Sequence, residues 1–522
     1  MRRGLPFLLL LILLSCSDDD ETAWSLNEEP MEPWTYRTIP DSLGRRYGVR
    51  WKKDDPDDLG ERCLDAIGLR ARFGVGGSPG ASDFDQLYPW SQILRCNISR
   101  TEGKTVITYD DDPAFRTDGS NGDVFVRIPK FYVEKYEEDG YEYRVVSANR
   151  GLLHPAFIEN GKELDAVYVS AFEGYIDSDS LLRSVAGVIP TSNITAQQFL
   201  DAARRRGSQY TLYDMRTVDM LYSLIAVEFG CRNTGVIFGH GIADYKQPLE
   251  ENWDGHRAFY SLSSKRSTNT FATPRYFRPI ITKGSSICIC KGHQRNILTF
   301  ARCLGVTTLF VETRYHFDGP PIDIDTDCFI GNCAQVTNWT ETCDAPHFSH
   351  TGRANMMEDQ FLPRERNPMR YRWMENIVGN IWHYLPDITL LDRQLYQCGS
   401  IADYVFGGHG GAYQPVGEPL VENTDNGIPA DEKGINSWVT TLMPDTACTG
   451  IAIGNSYKRD MSSTQAFGAY YYAGNGLCIA VNGGGFDHRS RCNLLTTRLW
   501  DAPDMRWHLY GARLLFKDIE AQ

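Results

Sequence analysis

Between Phe486 and Tyr510 the chain gathers side chains suited to noncovalent recognition: Phe486, Asp487, His488, Arg489, Arg491, Asn493, Trp500, Asp501, Arg506, Trp507, His508 and Tyr510. Rings give rigid contact area, and charged and amide groups give adaptable hydrogen bonds, the mixture that binding surfaces favour. The run opens with Gly483-Gly484-Gly485 and closes with Gly511-Ala512-Arg513 ahead of an apolar strand, Leu514 to Phe516. A segment made only for core packing repeats its apolar residues every 2 or 3.6 positions, and this one keeps neither period for long. Composition alone fits a surface loop with incidental aromatics equally well.

Other chemistry finds less support. Asp323, Asp325 and Asp327 alternate like the start of a calcium loop, but Cys328 stands where that loop needs glycine and Ala334 where it needs glutamate. Cys288, Cys290 and His293 lie too close together for the usual zinc spacing. There is no His-Glu-x-x-His and no P-loop. Gly407-Gly408-His409-Gly410-Gly411 has the wrong spacing to cradle phosphate and is expected to be a mobile loop. These residues call for no metal and no cofactor.

The order of the C-terminal phrases carries a resemblance. Gly483-Gly484-Gly485-Phe486, Trp500-Asp501-Ala502-Pro503 and Gly511-Ala512-Arg513-Leu514 resemble the variable region of proteins diversified by retroelements. In those proteins a C-type lectin fold holds changeable side chains on one face. The segment is also similar to the end of formylglycine-generating enzymes, which share the fold and set two cysteines around His-Arg-Ser-aromatic. Here His488-Arg489-Ser490-Arg491-Cys492 supplies the second cysteine, and Asp487 stands at the first. Two soft thiolates select Cu(I), and one does not.

Tyr371 to Trp382 resembles a core element of the formylglycine-generating and phage-tail families, with Gly379 allowing close backbone approach and Ile381 and Trp382 burying. Asp83 to Trp90, Asp118 to Gly122, Val124 to Tyr132, Leu153 to Phe157 and Ala171 to Gly174 resemble phage receptor-binding tail proteins. The resemblance implies an α+β, C-type lectin-like fold and a binding protein. A copper-dependent oxidase of the formylglycine-generating type and a structural or phage-derived attachment protein are the alternatives. Calcium-dependent sugar binding in C-type lectins goes with Glu-Pro-Asn or Gln-Pro-Asp, and both Gln414-Pro415-Val416 and Glu418-Pro419-Leu420 lack the third polar ligand. A protein or cell-surface receptor is the expected partner, with a glycan stacked on Trp500, Trp507 and Tyr510 as the other choice.

The rest of the chain has to position that segment. Its 522 residues suit two or three domains, or one heavily elaborated domain. An aromatic share of 12% suits a β-dominated fold. The net charge of −14 repels phosphates and argues against nucleic acid as a partner. Arg2 and Arg3 before the apolar run Leu5 to Leu14 read as a signal peptide, residues 1–15. Leu13-Leu14-Ser15-Cys16 fits a bacterial lipobox, in which Cys16 is lipidated and anchors the chain to a membrane. Ser17-Asp18-Asp19-Asp20-Glu21 looks like the acidic export tag of some Gram-negative surface lipoproteins, so residues 16–40 read as a tether at the outer membrane.

A β-rich region is expected over 41–120, with a strand at Tyr47 to Trp51, and the lectin-like domain over 121–522. That domain opens with a strand at Val124 to Val133. Thr195 and Gln198 form a capping box for one helix, which Gly207 can stop. A second helix carries its apolar stripe on Met215, Val218, Tyr222, Ile225 and Phe229, with Arg216, Asp219 and Ser223 off it, and ends at Gly230. Residues 231–350 read as an insertion stapled by disulfides, because Cys288, Cys290, Cys303, Cys328, Cys333 and Cys343 crowd there. Thirteen cysteines follow Cys16, an odd number that leaves at least one thiol unpaired or bonded between chains.

Overall fold

The computed structural model describes residues 44–519 apart from 73–81, 102, 244–259, 276–280, 293–295, 338–351, 354–367, 421–434 and 459–460. The leader, Cys16, the acidic tether, His293 and Cys343 lie outside the described residues. Sheet dominates, with 42% strand against 11% helix, and one sheet curls into a half-barrel. No helix among the described residues is long and apolar enough to cross a membrane.

Alternation builds the first sheet. In the strand Arg46–Lys52, Tyr47, Val49 and Trp51 are buried, the period-2 pattern of a half-covered strand. This strand pairs antiparallel with Glu61–Leu64 on one side and Tyr141–Ser147 on the other. The strand expected across Val124 to Val133 is two strands, Asp123–Pro129 and Tyr132–Glu138, in different sheets. Pro129 cannot extend a ladder with a backbone N–H, and the chain changes sheet there.

Asp123–Pro129 lies in a six-stranded antiparallel sheet ordered 210–212, 514–516, 166–170, 123–129, 94–101 and 104–109. The strand 514–516 is thus locked beside two strands from the first half of the chain. The boundary expected at residue 120 runs through this sheet, because Leu94–Thr101 pairs with Asp123–Pro129. Residues 44–120 are therefore not a separate β-rich region.

Two helices pack on these sheets. The first, α1 (Ala196–Arg204), carries the reciprocal capping box of Thr195 and Gln198. The second, α2 (Met215–Phe229), ends at Gly230 in the left-handed conformation, which glycine adopts without steric cost. It is buried on nearly every side, including Asp219 and Ser223. Asp219 accepts from Lys135 at 2.7 Å, Arg144 at 2.7 Å and His154 at 3.0 Å. The polar side of this helix therefore faces cations of the first sheet and not solvent, since a buried carboxylate persists when it is paired.

The insertion has its own five-stranded sheet, ordered 270–274, 312–317, 297–308, 286–291 and 328–332. Its core comprises Phe271, Ile287, Ile289, Tyr315, Phe317 and Ile330. The expected disulfides are absent among the described residues, where no two cysteines are bridged and all twelve are buried. Cys288, Cys290 and Cys333 pack with Phe329 as small apolar side chains.

Gly379 has φ +78°, and a Cβ there would meet the backbone of His240 and Ile242 at 2.7 and 2.8 Å. Ile381 and Trp382 are fully buried. Trp382–Leu391 is a strand of the curled sheet, which runs 413–416, 394–398, 382–391, 477–482, 497–501, 470–473, 435–442 and 454–458, with 510–511 pairing beside 382–391.

Candidate functional site

The candidate segment lies on this curled sheet, and the structure divides its residues in two. Phe486, Asn493, Asp501, His508 and Tyr510 are buried, so these five are corrected from ligand contacts to supports. Asn493 bonds Thr234 Oγ1 at 2.9 Å and the Phe467 carbonyl at 3.1 Å. The Asp501 carboxylate accepts from Arg498 at 2.7 and 3.2 Å and from the Tyr510 hydroxyl at 2.5 Å. Phe486 packs against His508, with ring centroids 6.0 Å apart. Burial pushes the His508 imidazole down to about 4, with Asp487 opposing the shift. Polar residues in a glycine-rich loop look like surface in composition, but these find partners or ring contacts inside.

The other seven reach solvent. Arg489, Arg491 and Arg506 are exposed, while Asp487, His488, Trp500 and Trp507 are half-buried. Asp487 Oδ1 lies 2.7 Å from His488 Nδ1. Neither atom of that contact makes a hydrogen bond. Arg489 opens a 3-10 turn, Arg489–Arg491, with φ +50°. Gly484 has φ +90°, and a Cβ there would sit 2.4 Å from Cys492 Sγ.

Three strands that converge from distant parts of the chain carry the rest of this surface. Trp438 pairs with Tyr470, and Tyr472 lies beside Arg498 in parallel register. Trp438 and Tyr470 meet edge to face at 4.9 Å, and Tyr470 and Tyr472 are 5.0 Å apart. The Arg491 guanidinium stacks over Tyr470 at 4.5 Å and donates to the Tyr472 hydroxyl at 3.4 Å. Arg498 lies over Tyr472 at 5.4 Å and Trp507 at 5.9 Å. Each such cation–ring contact contributes about 0.5–2 kcal/mol, more where water is excluded.

The alternating residues Tyr471, Val439 and Leu499 point into the main core. Trp438, Trp500, Met505 and Trp507 form the partly exposed rim of a second apolar cluster whose floor includes Trp382, Leu509 and Tyr510. The loop below is pinned by the Asn482 amide, which donates to the carbonyls of Leu494 at 2.8 Å and Thr496 at 3.0 Å. Rings and guanidinium groups are thereby held in place, an arrangement that would lower the entropy cost of any binding there.

Trp438, Tyr470, Tyr472 and Arg498 are the residues that sequence reading missed. The available signal was alternation, in which the tyrosines at 470 and 472 and the Arg498/Trp500 pair each share one face of a strand.

The buried Cys492 thiol donates to the Gly485 carbonyl at 3.3 Å. Among the described residues no group of three or more His, Cys, Asp or Glu is arranged to hold a metal ion. Asp323 accepts from the Ser267 backbone, and Asp325 pairs with Lys291 at 2.6 Å and Arg266 at 3.0 Å. Those carboxylates already have cationic or N–H partners from the protein.

No protein-family model matches this chain, and no curated protein matches its sequence.

Proposed function

We propose that this protein is a surface-anchored lipoprotein that binds a protein or cell-surface receptor through the aromatic and arginine rim of the curled sheet. On this reading the fold is C-type lectin-like, the segment 483–516 is its variable part, and Cys16 carries the acyl anchor at the outer membrane. One observation carries the binding reading: Arg491, Arg498, Trp438 and Trp507 reach solvent while packed on the buried rings of Tyr470 and Tyr472, and the supports beneath are buried and hydrogen-bonded. Buried aromatics and arginine held in place are what binding hot spots are made of.

The test replaces Arg491, Arg506 and Trp507 singly with alanine and measures receptor binding beside thermal melting. Loss of binding with unchanged melting for the two arginines, and a loss of about 2 kcal/mol or more of binding for Trp507→Ala, supports the reading. Full binding by all three variants sinks it. A reverse-transcriptase gene nearby, with a near-copy of the codons for Gly483 to Phe516 differing at adenines, tests the diversification separately.

A further inference from the structure

Six of the thirteen exposed large apolar side chains among the described residues fall between 298 and 311. They lie on one hairpin of the insertion, formed by Ile297–Thr308 and Glu312–Phe317. Its turn is tight, because the Leu309 N–H donates to the Glu312 carbonyl at 2.8 Å and leaves Phe310 and Val311 at the tip. Phe310 is 84% exposed and Val311 67% exposed, with Leu309, Val306 and Leu304 behind them also exposed. Water is a poor solvent for such a tip, and an exposed apolar patch of this kind marks a contact.

We propose that this tip inserts into the interfacial layer of a lipid bilayer. The first support is the backbone. The Phe310 carbonyl accepts from Arg275 Nη1 at 3.2 Å, and the Val311 carbonyl accepts from the Arg275 N–H at 3.2 Å. Both carbonyls at the apex are thus satisfied internally, as hydrocarbon requires and water does not. The second is charge. Glu312, the acid nearest the apex, is paired with Arg314, and the Arg275 guanidinium lies 6.0 Å from the Phe310 ring. A cation directly behind an apolar apex sits at headgroup depth and complements anionic lipid. The third is shape. A specific protein interface covers roughly 800 Å² on each partner, more than a convex two-residue apex offers, whereas fluid acyl chains close around any convex surface.

The test uses the mature chain from residue 16 with Cys16→Ser, so that no acyl group is attached, and sedimentation with unilamellar vesicles of phosphatidylethanolamine and phosphatidylglycerol. The double variant Phe310→Asp with Val311→Asp is expected to partition at least about tenfold more weakly, since it loses two buried apolar side chains and gains two charges. Ile67→Asp, at a site 71% exposed elsewhere on the surface, is expected to change nothing. Equal partitioning of the unsubstituted chain and the double variant overturns the proposal. p-Benzoylphenylalanine at position 310 gives a second reading: a lipid adduct on irradiation supports insertion, and an adduct to another protein or to a second copy overturns it.

Discussion

The Tyr510 hydroxyl donates to the Asp501 carboxylate at 2.5 Å across nine residues of chain, and the same carboxylate receives Arg498 through two bonds. This carboxylate joins the buried floor of the candidate site to its exposed rim, because Tyr510 is sealed while Arg498 lies over Tyr472 and Trp507. Replacing Asp501 by alanine leaves a buried hydroxyl and a guanidinium without their acceptor. The expected cost is about 3 kcal/mol, against about 1 kcal/mol for Tyr510→Phe. Urea midpoints at constant m-value measure both, and equal costs for the two variants would refute the bridging role.

Asn493 and Arg506 lie thirteen positions apart in the candidate segment and should behave oppositely. Asn493 is buried with its amide bonded to Thr234 and Phe467, and Arg506 is exposed. Asn493→Ala is expected to lower stability by about 2 kcal/mol through stranded polar partners. Arg506→Ala should stay within about 0.5 kcal/mol of the unsubstituted chain. Differential scanning calorimetry of the two variants decides this; a larger loss for Arg506→Ala means the segment is placed wrongly.

Local rules were readable where one short stretch contained both signal and partner. The Thr195 capping box, the stop at Gly230 and the alternation of Tyr47, Val49 and Trp51 all belong to this kind. Gly379 was readable because only a residue without a Cβ fits its close approach to Ile242. The packing of Trp438 and Arg498 around the buried Tyr470 and Tyr472 was not, since the strands are up to sixty residues apart and meet only through sheet order. The burial of Asp219 was not readable for the same reason: the cations that allow it come from Lys135 and Arg144, on two earlier strands. Within 486–510, composition marks a region but does not say which side chains turn inward.

Cysteine was the other misreading, and it leads to a direct test. Burial pushes the thiols of Cys63, Cys231 and Cys478 up to about 11 and that of Cys96 up to about 12. The thiolate is the reactive form, so buried thiols with raised pKa resist oxidation even where disulfides are permitted. Titration of the native protein with a thiol reagent should give almost no reaction. After guanidinium unfolding without reductant, the twelve described cysteines should all react. A shortfall of two or more thiols after unfolding would reveal disulfides.

Glu173 connects pH to stability. Its side chain accepts from Asn380 and Asn376 in the same buried network as Arg513, whose guanidinium donates to the carbonyls of Ser170 and Asn376 at 2.8 and 3.1 Å. Burial raises the Glu173 carboxyl to about 8, with Arg513 opposing the shift. A carboxyl raised on folding holds its proton in the native state while the unfolded chain has lost it, so stability falls as pH rises from about 4.5 towards 8. The slope from one such group is at most about 1.4 kcal/mol per pH unit. His508, His154, His240 and His383, all lowered by burial, act in the opposite sense, with stability lost as pH falls through 6.5. Between pH 6.5 and 8 the unfolded histidines still release protons, but they are the same in a Glu173 variant, so the difference between the two chains isolates the Glu173 contribution, while the raised Asp387 adds to the decline with the same sign. Glu173→Gln keeps an acceptor for Asn380 and removes the proton, so denaturant melts across this interval should show a shallower decline than the unsubstituted chain. Identical slopes would mean that Glu173 is ionised in the folded protein, with Arg513 outweighing the burial.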